Sequence, residues 1–396
     1  MTGIINGRIV TPEKVMEDKV LLLDQDRIFG FTDNPGGTDA VERVINAHGR
    51  YIMPGLIDVH SDRIEQYISP RPTSQMDFEF GLKTCERDLL GAGITTMYHS
   101  LSLYGDEFFG SSPFRTKENV QKLADLITGI HLRNHLIHHR LHLRIEIDNP
   151  EAYDIACDMI GQGKVHQISF MNHSPGQGQY RSIEVYRDAG LKYNGSLGGK
   201  DVGTMSADEL MEYHENKPKL TNRQLRELTE LAHAKRIPVA SHDDDTIEKL
   251  EENIKIGVDI SEFPISIGAA KAAKAQGFYT VVGSANIMRG CSHSGNMSAT
   301  EAILENCVDI ICSDYCPAAI LHSIFLIHTK HGVPLPQMVN RATLNPAKAM
   351  RTDKDYGSIE QGKKADLLIV DILDGYPVIT HTFVDGVAAS RIEYRS

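Results

Sequence analysis

Between about residues 54 and 350, short apolar runs alternate with longer stretches in which apolar residues have helical spacing. Eight of the runs are typical of buried strands in length and composition. They lie at 56–59, 94–98, 141–147, 167–171, 237–241, 259–263, 279–283 and 309–312. Among the intervening stretches, residues 222–236 have Asn222 as a cap and an apolar stripe at Leu225, Leu228, Leu231 and Ala232. Segments 296–307 and 317–331 have a similar length and a similar pattern of apolar residues.

Eight strand–helix units predict an α/β fold, a (β/α)8 barrel of the TIM type. An open, doubly wound sheet is the alternative, and periodicity alone does not separate the two. Segment 174–222 is longer than an ordinary connection and is rich in Gly, Lys, Tyr and Arg. We interpret it as a long loop or lid over the open end of the barrel.

Both ends of the chain differ from this middle part. Residues 3–10, 19–23 and 41–45 are short β-type runs, and Asn6-Gly7 predicts a hairpin turn. Residues 365–370 and 381–386 have the same texture. We therefore expect the two termini to meet in one small β-unit.

Composition narrows the class of protein. The chain has 41 Lys and Arg against 53 Asp and Glu, a formal charge of −12, which argues against a nucleic-acid binder. No apolar run approaches the roughly 20 residues of a membrane span, and residues 1–8 lack a signal pattern. The six cysteines show no CxxC pair, which indicates reduced thiols in a cytoplasmic protein.

Candidate chemistry lies at the ends of the predicted strands. Because the carboxyl ends of parallel barrel strands meet at one mouth, polar residues there are expected to converge. The strand ends carry His60, Asp62, Glu146, His173, His242 and Asp314. Each histidine taken alone is more often a hydrogen-bonded core or cap residue, so only the set of six residues together indicates a metal site.

The third predicted strand alternates polar and apolar residues, which puts Arg140, His142, Arg144 and Glu146 on one face. Such a face is either a solvated edge or the charged wall of a pocket. In the second case Glu146 would stand at the end of the wall as a ligand that bridges two metal ions.

Nitrogen and oxygen ligands without thiolate suit Zn²⁺, Mn²⁺, Fe²⁺ or Co²⁺ rather than Ca²⁺, with zinc preferred here. A bridging carboxylate predicts two ions per chain, about 3.5–4 Å apart, whose bound water ionises near pH ~7. Asp314 is then the candidate catalytic residue that takes the proton of this water and passes it to a leaving group.

The stretch from Pro54 to His60, read PGLIDVH, resembles the entry motif of the amidohydrolase superfamily, and so do Asn345-Pro346-Ala347 and the GSIEQGKKADL stretch. The resemblance implies a metal-bearing barrel and a β-sandwich built from both termini. It divides the chain at 1–53, 54–350 and 351–396. It also implies hydrolysis by metal-activated water, without fixing the substrate.

More specific motifs are HSPGQ (173–177), ASHDD (240–244), RGCSHSGN (289–296) and SDYCPA (313–318). They resemble the α-D-ribose 1-methylphosphonate 5-triphosphate diphosphatase family of the carbon–phosphorus lyase pathway of phosphonate metabolism. The implied reaction converts a phosphorylated sugar, the ribosyl triphosphate, to its 5-phosphate plus pyrophosphate. The resemblance also implies a homo-oligomer. The acidic charge and the lack of a long apolar run predict neither nucleic acid nor membrane as partner.

Some positions depart from this pattern. Arg63, His99 and Gly178 stand where the family usually or sometimes has Asn, Asp and Arg. Glu146 follows the third predicted strand, whereas the bridging group of the superfamily commonly follows the fourth. Either the strand numbering is off by one or this branch uses a third-strand glutamate.

A triphosphate requires cations and hydrogen-bond donors near the mouth. The candidates are Arg71, Arg140, Arg144, Arg289, Lys200, Arg181, His293 and Asn296. Two other functions remain open at this stage. The same chemistry could cleave an amide, a cyclic ureide or a nucleobase C–N bond, and some barrel relatives are inactive scaffolds.

Overall fold

The computed structural model begins with short strands. It describes residues 1–33, 41–71, 73–104, 115–178, 180, 182–192, 196–197, 200–290 and 296–395. For residues 189–192, 196–197 and 200 it describes the backbone alone. The first strands are β1 (Thr2–Ile5), β2 (Arg8–Val10), β3 (Val15–Met16), β4 (Val20–Asp24), β5 (Arg27–Thr32), β6 (Arg43–Asn46) and β7 (Tyr51–Pro54).

The middle of the chain forms a parallel eight-stranded sheet, as predicted. Its strands are β8 (Leu56–Ser61), β9 (Ile94–Leu103), β10 (His138–Glu146), β11 (Gln167–Met171), β14 (Val239–His242), β15 (Ile260–Glu262), β16 (Tyr279–Gly283) and β17 (Ile310–Cys312). They follow one another in chain order around the sheet. A parallel bridge between Ser61 and Asp314 brings the last strand to the first. The sheet is therefore a nearly closed TIM-like barrel, and the doubly wound alternative is wrong.

Helices connect the strands and cover the barrel. They are α1 (Arg63–Ile68), α2 (Phe78–Gly91), α3 (Lys117–Gly129), α4 (Ala152–Gly161), α5 (Ile183–Lys192), α6 (Ala207–Asn216), α7 (Asn222–Ala234), α8 (Ile247–Ile256), α9 (Ile267–Ala275), α10 (Ser284–Arg289), α11 (Ala299–Leu304), α12 (Ala319–His331), α13 (Leu335–Asn340) and α14 (Leu344–Ala349). Short 3-10 turns span Ile130–Leu132 and Val202–Thr204. The apolar faces of the α-helices pack against the outside of the barrel and bury a large core there.

The predicted stripe of α7 is confirmed in outline, with a shift at its start. Thr221, not Asn222, is the N-cap, and it forms a capping box with Gln224. Leu225 and Leu228 are buried, as the spacing predicts. None of the helices in the described residues is long and apolar enough to cross a membrane.

The two termini share a sheet, as expected. Strands β18 (Leu367–Leu373), β19 (Tyr376–Val384) and β20 (Val387–Arg391) follow the barrel. Strand β18 pairs with β7, so the six-stranded sheet has the order β20-β19-β18-β7-β2-β3. A four-stranded sheet, β5-β4-β1-β6, is joined to it by a common buried apolar cluster. The predicted boundaries at residues 53/54 and 350/351 stay predictions.

The hairpin predicted at Asn6-Gly7 is wrong. Strand β1 pairs with β4 and β6, whereas β2 pairs with β3 and β7 in the other sheet. The chain therefore crosses from one sheet to the other at these residues. A Cβ on Gly7 would lie 2.4 Å from Cδ1 of Ile52, so glycine is required by the close approach of the sheets rather than by a turn.

Segment 174–222 is not one irregular loop. It contains α5, α6 and a two-stranded ribbon of β12 (Ser196–Leu197) and β13 (Lys200–Asp201). A small apolar cluster holds the segment together, formed by Tyr180, Tyr186, Val202, Met205 and Leu210. Its role as a lid stays a prediction.

Candidate active site

The first and last barrel strands are joined where they end, which places three predicted site residues together. The amide of Asp314 donates to the carbonyl of His60 (3.0 Å), and the amide of Asp62 donates to the carbonyl of Asp314 (3.2 Å). Asp314 adopts a left-handed φ of +61°. Asp243 and Phe263, just past two other barrel strands, have φ values of +53° and +54°. Aspartate tolerates left-handed backbone, but for Phe263 it is costly, and in proteins such strain concentrates at functional sites.

Three buried or nearly buried side chains converge at this end of the barrel. One ligand atom from each of His60, His242 and Glu262 lies within 4.8 Å of the other two. Nδ1 of His60 is 3.2 Å from Oε1 of Glu262. Phe263 packs against both imidazoles, with ring centroids 5.0 Å from each. The packing fixes both rings, so the ligand atoms are preorganised.

Glu262 is the member of this group that the sequence interpretation did not include. It ends β15, it is fully buried, and its Oε1 accepts a hydrogen bond from Nε2 of Gln167 (3.0 Å). The signal was available, because Glu262 lies near the end of the predicted strand 259–263. The rule that selected Glu146, a carboxylate at a barrel strand's end, applies equally here.

Glu146 and His173 form a second group beside the first. Glu146 ends β10, so it follows the third of the eight strands, and the strand numbering from the sequence was correct. Nδ1 of His173 donates to Oε1 of Glu146 across 2.7 Å. The ring centroid of His173 is 6.3 Å from that of His242. The two groups therefore adjoin through their imidazoles.

A polar layer lies directly beneath these residues, inside the barrel. His142 is fully buried, and its ring nitrogens contact the hydroxyls of Ser169 (2.9 Å) and Ser100 (3.2 Å). Burial lowers the pKa of His142 to about 3, although the charge of Glu262 opposes this shift. The polar face of the third strand is thus a buried wall, and its reading as a solvated edge is wrong.

Arg144 supplies positive charge to this pocket. Burial disfavours its charge, but Tyr104 and the carboxylates of Glu146 and Asp62 raise the pKa of its guanidinium above the usual value. Burial and the charge of Asp62 raise the pKa of Asp314 to about 7, and Arg144 limits this rise. Arg144 therefore lies close enough to act on three candidate site carboxylates.

The unpaired atoms fit a divalent cation. Within the described residues, Nδ1 of His60, Nδ1 of His242, Oδ1 of Asp62 and Oε2 of Glu262 are buried without a hydrogen-bond partner. Unpaired buried polar atoms are costly, and a bound ion would satisfy them. Burial, together with the charges of Arg144 and His242, holds the pKa of His60 well below its usual value. A neutral imidazole is the form that binds metal.

Not every predicted phosphate contact lies here. Arg140 is six residues before Glu146 on β10, roughly 20 Å along the strand. Its charge acts on Tyr98, His166 and Tyr356 instead. Arg140 therefore lies near the opposite end of the barrel. Residues on the same face of a strand can lie at different heights along the barrel axis.

Other candidates are exposed or fall outside the described part. Arg71 and Arg289 are exposed to solvent, and Asn296 is half-buried. His293 and Arg181 lie outside the described residues, as does the side chain of Lys200. Substrate contact by any of these residues stays a prediction.

The structure shows the surroundings of all three residues that depart from the family pattern. Gly178 has a φ of +54°, and a Cβ there would lie 3.1 Å from Cβ of Asp243, which leaves no room for an arginine without a shift. His99 is buried on β9, and its Nε2 lies 2.9 Å from Nδ1 of His139. Arg63 stacks over Tyr67 and contacts Asp88 (3.3 Å).

Comparisons with known proteins agree with this architecture. The model of the amidohydrolase family matches residues 197–389. The α-D-ribose 1-methylphosphonate 5-triphosphate diphosphatase of Escherichia coli (strain K12) is 31% identical over 349 residues, covering 86% of this chain and 89% of the relative.

Solved structures share the fold at low identity. N-acetylglucosamine-6-phosphate deacetylase from Pasteurella multocida has a TM-score of 0.64 at 15% identity, covering 97% of this chain and 98% of that one. L-hydantoinase from Arthrobacter aurescens has a TM-score of 0.63 at 14% identity, covering 99% and 97%. The barrel, its paired-termini sheet and these matches lead to one conclusion: the chain belongs to the amidohydrolase superfamily, where it is related to α-D-ribose 1-methylphosphonate 5-triphosphate diphosphatase.

Proposed function

We propose that this hydrolase cleaves α-D-ribose 1-methylphosphonate 5-triphosphate to the 5-phosphate and pyrophosphate. The observation that carries hydrolysis is the convergence at the barrel mouth of ligand atoms from His60, His242 and Glu262 that have no hydrogen-bond partner in the described part of the chain. The choice of substrate rests on the relative from Escherichia coli, which is named for this activity and matches most of the chain.

The proposed metal ligands are His60, Asp62, Glu146, His173, His242 and Asp314, and we add Glu262, whose Oε1 lies 3.2 Å from Nδ1 of His60. Bound divalent cations would lower the pKa of water from its bulk value to about 7 and offset charge on the phosphoryl oxygens. The proposal includes two ions per chain, with zinc as the preferred metal.

Asp314 is the proposed proton acceptor. Its raised pKa of about 7 places it near the operating pH, where a general base is most effective. In the proposed reaction, the water oxygen forms a bond to one phosphorus. The bridging P–O bond between the first and second phosphoryl groups breaks. Asp314 takes the proton of the water, and the phosphoryl group on the side that was not attacked leaves with the electrons of the broken bond, which gives the 5-phosphate and pyrophosphate.

Arg144 is the proposed counter-charge for the triphosphate. It is the cation that acts on Asp62, Glu146 and Asp314 together, so it lies beside the proposed ligands. A guanidinium can bind two phosphoryl oxygens at once and holds its charge at every relevant pH. In this proposal it orients the phosphates in line with the attacking water.

A product assay tests the proposal. The purified protein, loaded with Zn²⁺, is incubated with the ribosyl triphosphate, and pyrophosphate is measured alongside ammonia and carboxylate release from amide and cyclic ureide substrates. We expect pyrophosphate from the triphosphate. Turnover of the carbon–nitrogen substrates alone would replace this proposal with the amidohydrolase alternative. Less than one bound ion per chain and no turnover would favour a scaffold.

A matched pair of variants controls this assay. Asp314→Asn removes the proposed proton acceptor and should lower the rate of pyrophosphate release about 10²–10⁴-fold. Asp374→Asn makes the same chemical change in an exposed turn residue that also has a left-handed φ, +52°. It should behave like the unmodified protein, and a loss of activity in both variants would contradict the role of Asp314.

A further inference from the structure

A second cluster of ligand-type side chains lies at the opposite end of the barrel from the candidate active site. His138 begins β10, the strand that Glu146 ends, so the two are roughly 26 Å apart along the strand. Asp366 directly precedes β18, and Asp385 directly follows β19. The cluster therefore joins the barrel to the sheet that both termini build.

The ligand atoms of this cluster point toward one another. Nε2 of His138 is 3.1 Å from Oδ2 of Asp366 and 3.8 Å from Oδ2 of Asp385. One atom from each residue lies within 4.8 Å of the other two. The side chains of His138 and Asp366 are only 8% and 7% exposed. This is a small, nearly buried site of one nitrogen and two oxygen ligands.

The short distance between His138 and Asp366 is not a hydrogen bond. Within the described residues, Nε2 of His138 and Oδ2 of Asp366 are both buried without a hydrogen-bond partner. An imidazole–carboxylate pair alone would align the N–H with the oxygen. Two ligands of a cation bound at 2.0–2.2 Å stand roughly 3–3.4 Å apart instead. His60 and Glu262 show a similar separation, since the unpartnered Nδ1 of His60 within the described residues is 3.2 Å from Oε1 of Glu262, although that oxygen also accepts a hydrogen bond from Gln167.

Neighbouring contacts turn the remaining oxygens away from this centre. Oδ1 of Asp366 accepts a hydrogen bond from the amide of Asp385 (2.8 Å). Nζ of Lys364 is 2.9 Å from Oδ1 of Asp385 and also contacts Asp26. Each of the two carboxylates thus has one oxygen engaged, which leaves its other oxygen facing His138.

The local charge favours a dication. Asp26, Asp366 and Asp385 carry three negative charges against the two positive charges of Lys364 and Arg140, which both act on the adjacent Tyr356, so the negative surplus is one. The ring of Tyr356 is 5.1 Å from that of His138. Burial raises the pKa of Tyr356 to about 12, and the charges of both aspartates act in the same direction.

We propose that His138, Asp366 and Asp385 bind a divalent transition-metal cation of the Zn²⁺ class. An imidazole with two carboxylates is a ligand set that Zn²⁺ accepts. A cation at this position links the start of the third barrel strand to the C-terminal strands, so its binding stabilises the junction. The proposal does not depend on the proposed function, because the cluster lies away from the mouth.

Metal content tests this site directly. The full chain is equilibrated with excess ZnCl₂ and desalted, and zinc per chain is measured by inductively coupled plasma mass spectrometry. We expect folded His138→Gln to hold about one ion fewer than the unmodified protein. The matched control is His135→Gln, because the ring of His135 contacts the carbonyl of Arg133 (2.9 Å) outside the cluster. It should retain the full zinc content.

Equal zinc contents in His138→Gln and His135→Gln would overturn the proposal. If His138→Gln does not fold, Asp385→Asn takes its place, since that carboxylate is 37% exposed. Anomalous diffraction at the zinc edge supplies a measurement without substitution. A peak within bonding distance of Nε2 of His138 is expected in zinc-soaked crystals, and its absence would also overturn the site.

Discussion

Asp314 combines three features at the residue scale. Its backbone is left-handed, its amide and carbonyl join the first and last barrel strands, and its carboxyl lies near Asp62 and Asp58. Asp58 is itself fully buried, and burial raises its pKa to about 6, with the amide of Ser313 as a hydrogen-bond donor (3.0 Å). Burial first, and the negative charges of Asp62 and Asp58 in addition, raise the pKa of Asp314 to about 7.

Asp314→Asn should lower turnover about 10²–10⁴-fold, because the amide does not accept the proton of the attacking water. Zinc content and melting temperature should remain close to the unmodified protein, since asparagine tolerates the left-handed backbone. Steady-state kinetics, metal analysis and thermal unfolding check the three parts. A turnover within tenfold of normal would contradict the proton role.

Buried neutral histidines predict acid lability. Burial lowers the pKa of His166 to about 3, and the charge of Arg140 adds to this shift. Its Nδ1 accepts the amide N–H of Leu141 (3.1 Å), a bond that protonation would break. The unfolded chain takes up this proton near pH ~6.5 and the folded chain does not. The contribution of neutral His166 to the free energy of unfolding is therefore lost as pH falls below ~6.5 toward 3.

His166→Gln should accordingly lose less unfolding free energy than the unmodified protein when the pH falls from 7 to 5. Urea unfolding at both pH values measures the difference. His48→Asn is the control, because that residue is exposed and has a left-handed φ of +52° that asparagine accepts. An equal loss in all three proteins would assign the acid sensitivity to other groups.

At the scale of elements, the crossing at Asn6-Gly7 is the connection that builds the sandwich. Strands β1 and β2 are consecutive in sequence but belong to different sheets. The two sheets share the apolar cluster that contains Ile4, Ile9 and Ile52. The turn must therefore bring the backbone close to Ile52, and a side chain at residue 7 would separate the sheets.

Gly7→Ala should destabilise the protein by about 1–3 kcal/mol, the usual effect of overpacking a core. Gly91→Ala is the matched control, because no atom of the described residues lies within 4 Å of a Cβ placed on it at the end of α2. That substitution should be neutral or slightly stabilising, since alanine favours the helix. Urea unfolding compares the two, and an undiminished stability of Gly7→Ala would contradict the close-approach argument.

At the scale of the whole molecule, the barrel mouth holds unpaired ligand atoms inside a well-packed fold. His60, His242 and Glu262 lie against the polar barrel interior rather than in an apolar core. Desolvating these groups costs free energy, and bound cations would offset it. Stability and metal content are therefore expected to change together.

His60→Ala should lower zinc content and melting temperature together. A ligand at 100 times its dissociation constant stabilises the fold by about 2.7 kcal/mol, so chelation should lower the melting temperature of the unmodified protein more than that of this variant. His331→Ala removes an exposed imidazole and should respond to chelation like the unmodified protein. Unchanged zinc stoichiometry in His60→Ala would remove it from the ligand set.

Much of the fold was predictable from the sequence, because local periodicity reports which face of an element is buried. All eight barrel strands occur where the apolar runs predict them, and Gln167–Met171 and Tyr279–Gly283 match residue for residue. The polar residues at the strand ends also predicted which side chains lie at the barrel mouth. His60, Asp62, Glu146, His173, His242 and Asp314 all end or closely follow barrel strands.

Only the tertiary structure decided which of these side chains meet. It adds Glu262 to His60, places Arg140 at the far end, and assigns β1 and β2 to separate sheets. It also joins His138 to Asp366 and Asp385, more than two hundred residues away in the chain. Periodicity reports the face on which a residue lies, but depth along a strand and contacts between distant strands depend on how the whole sheet closes.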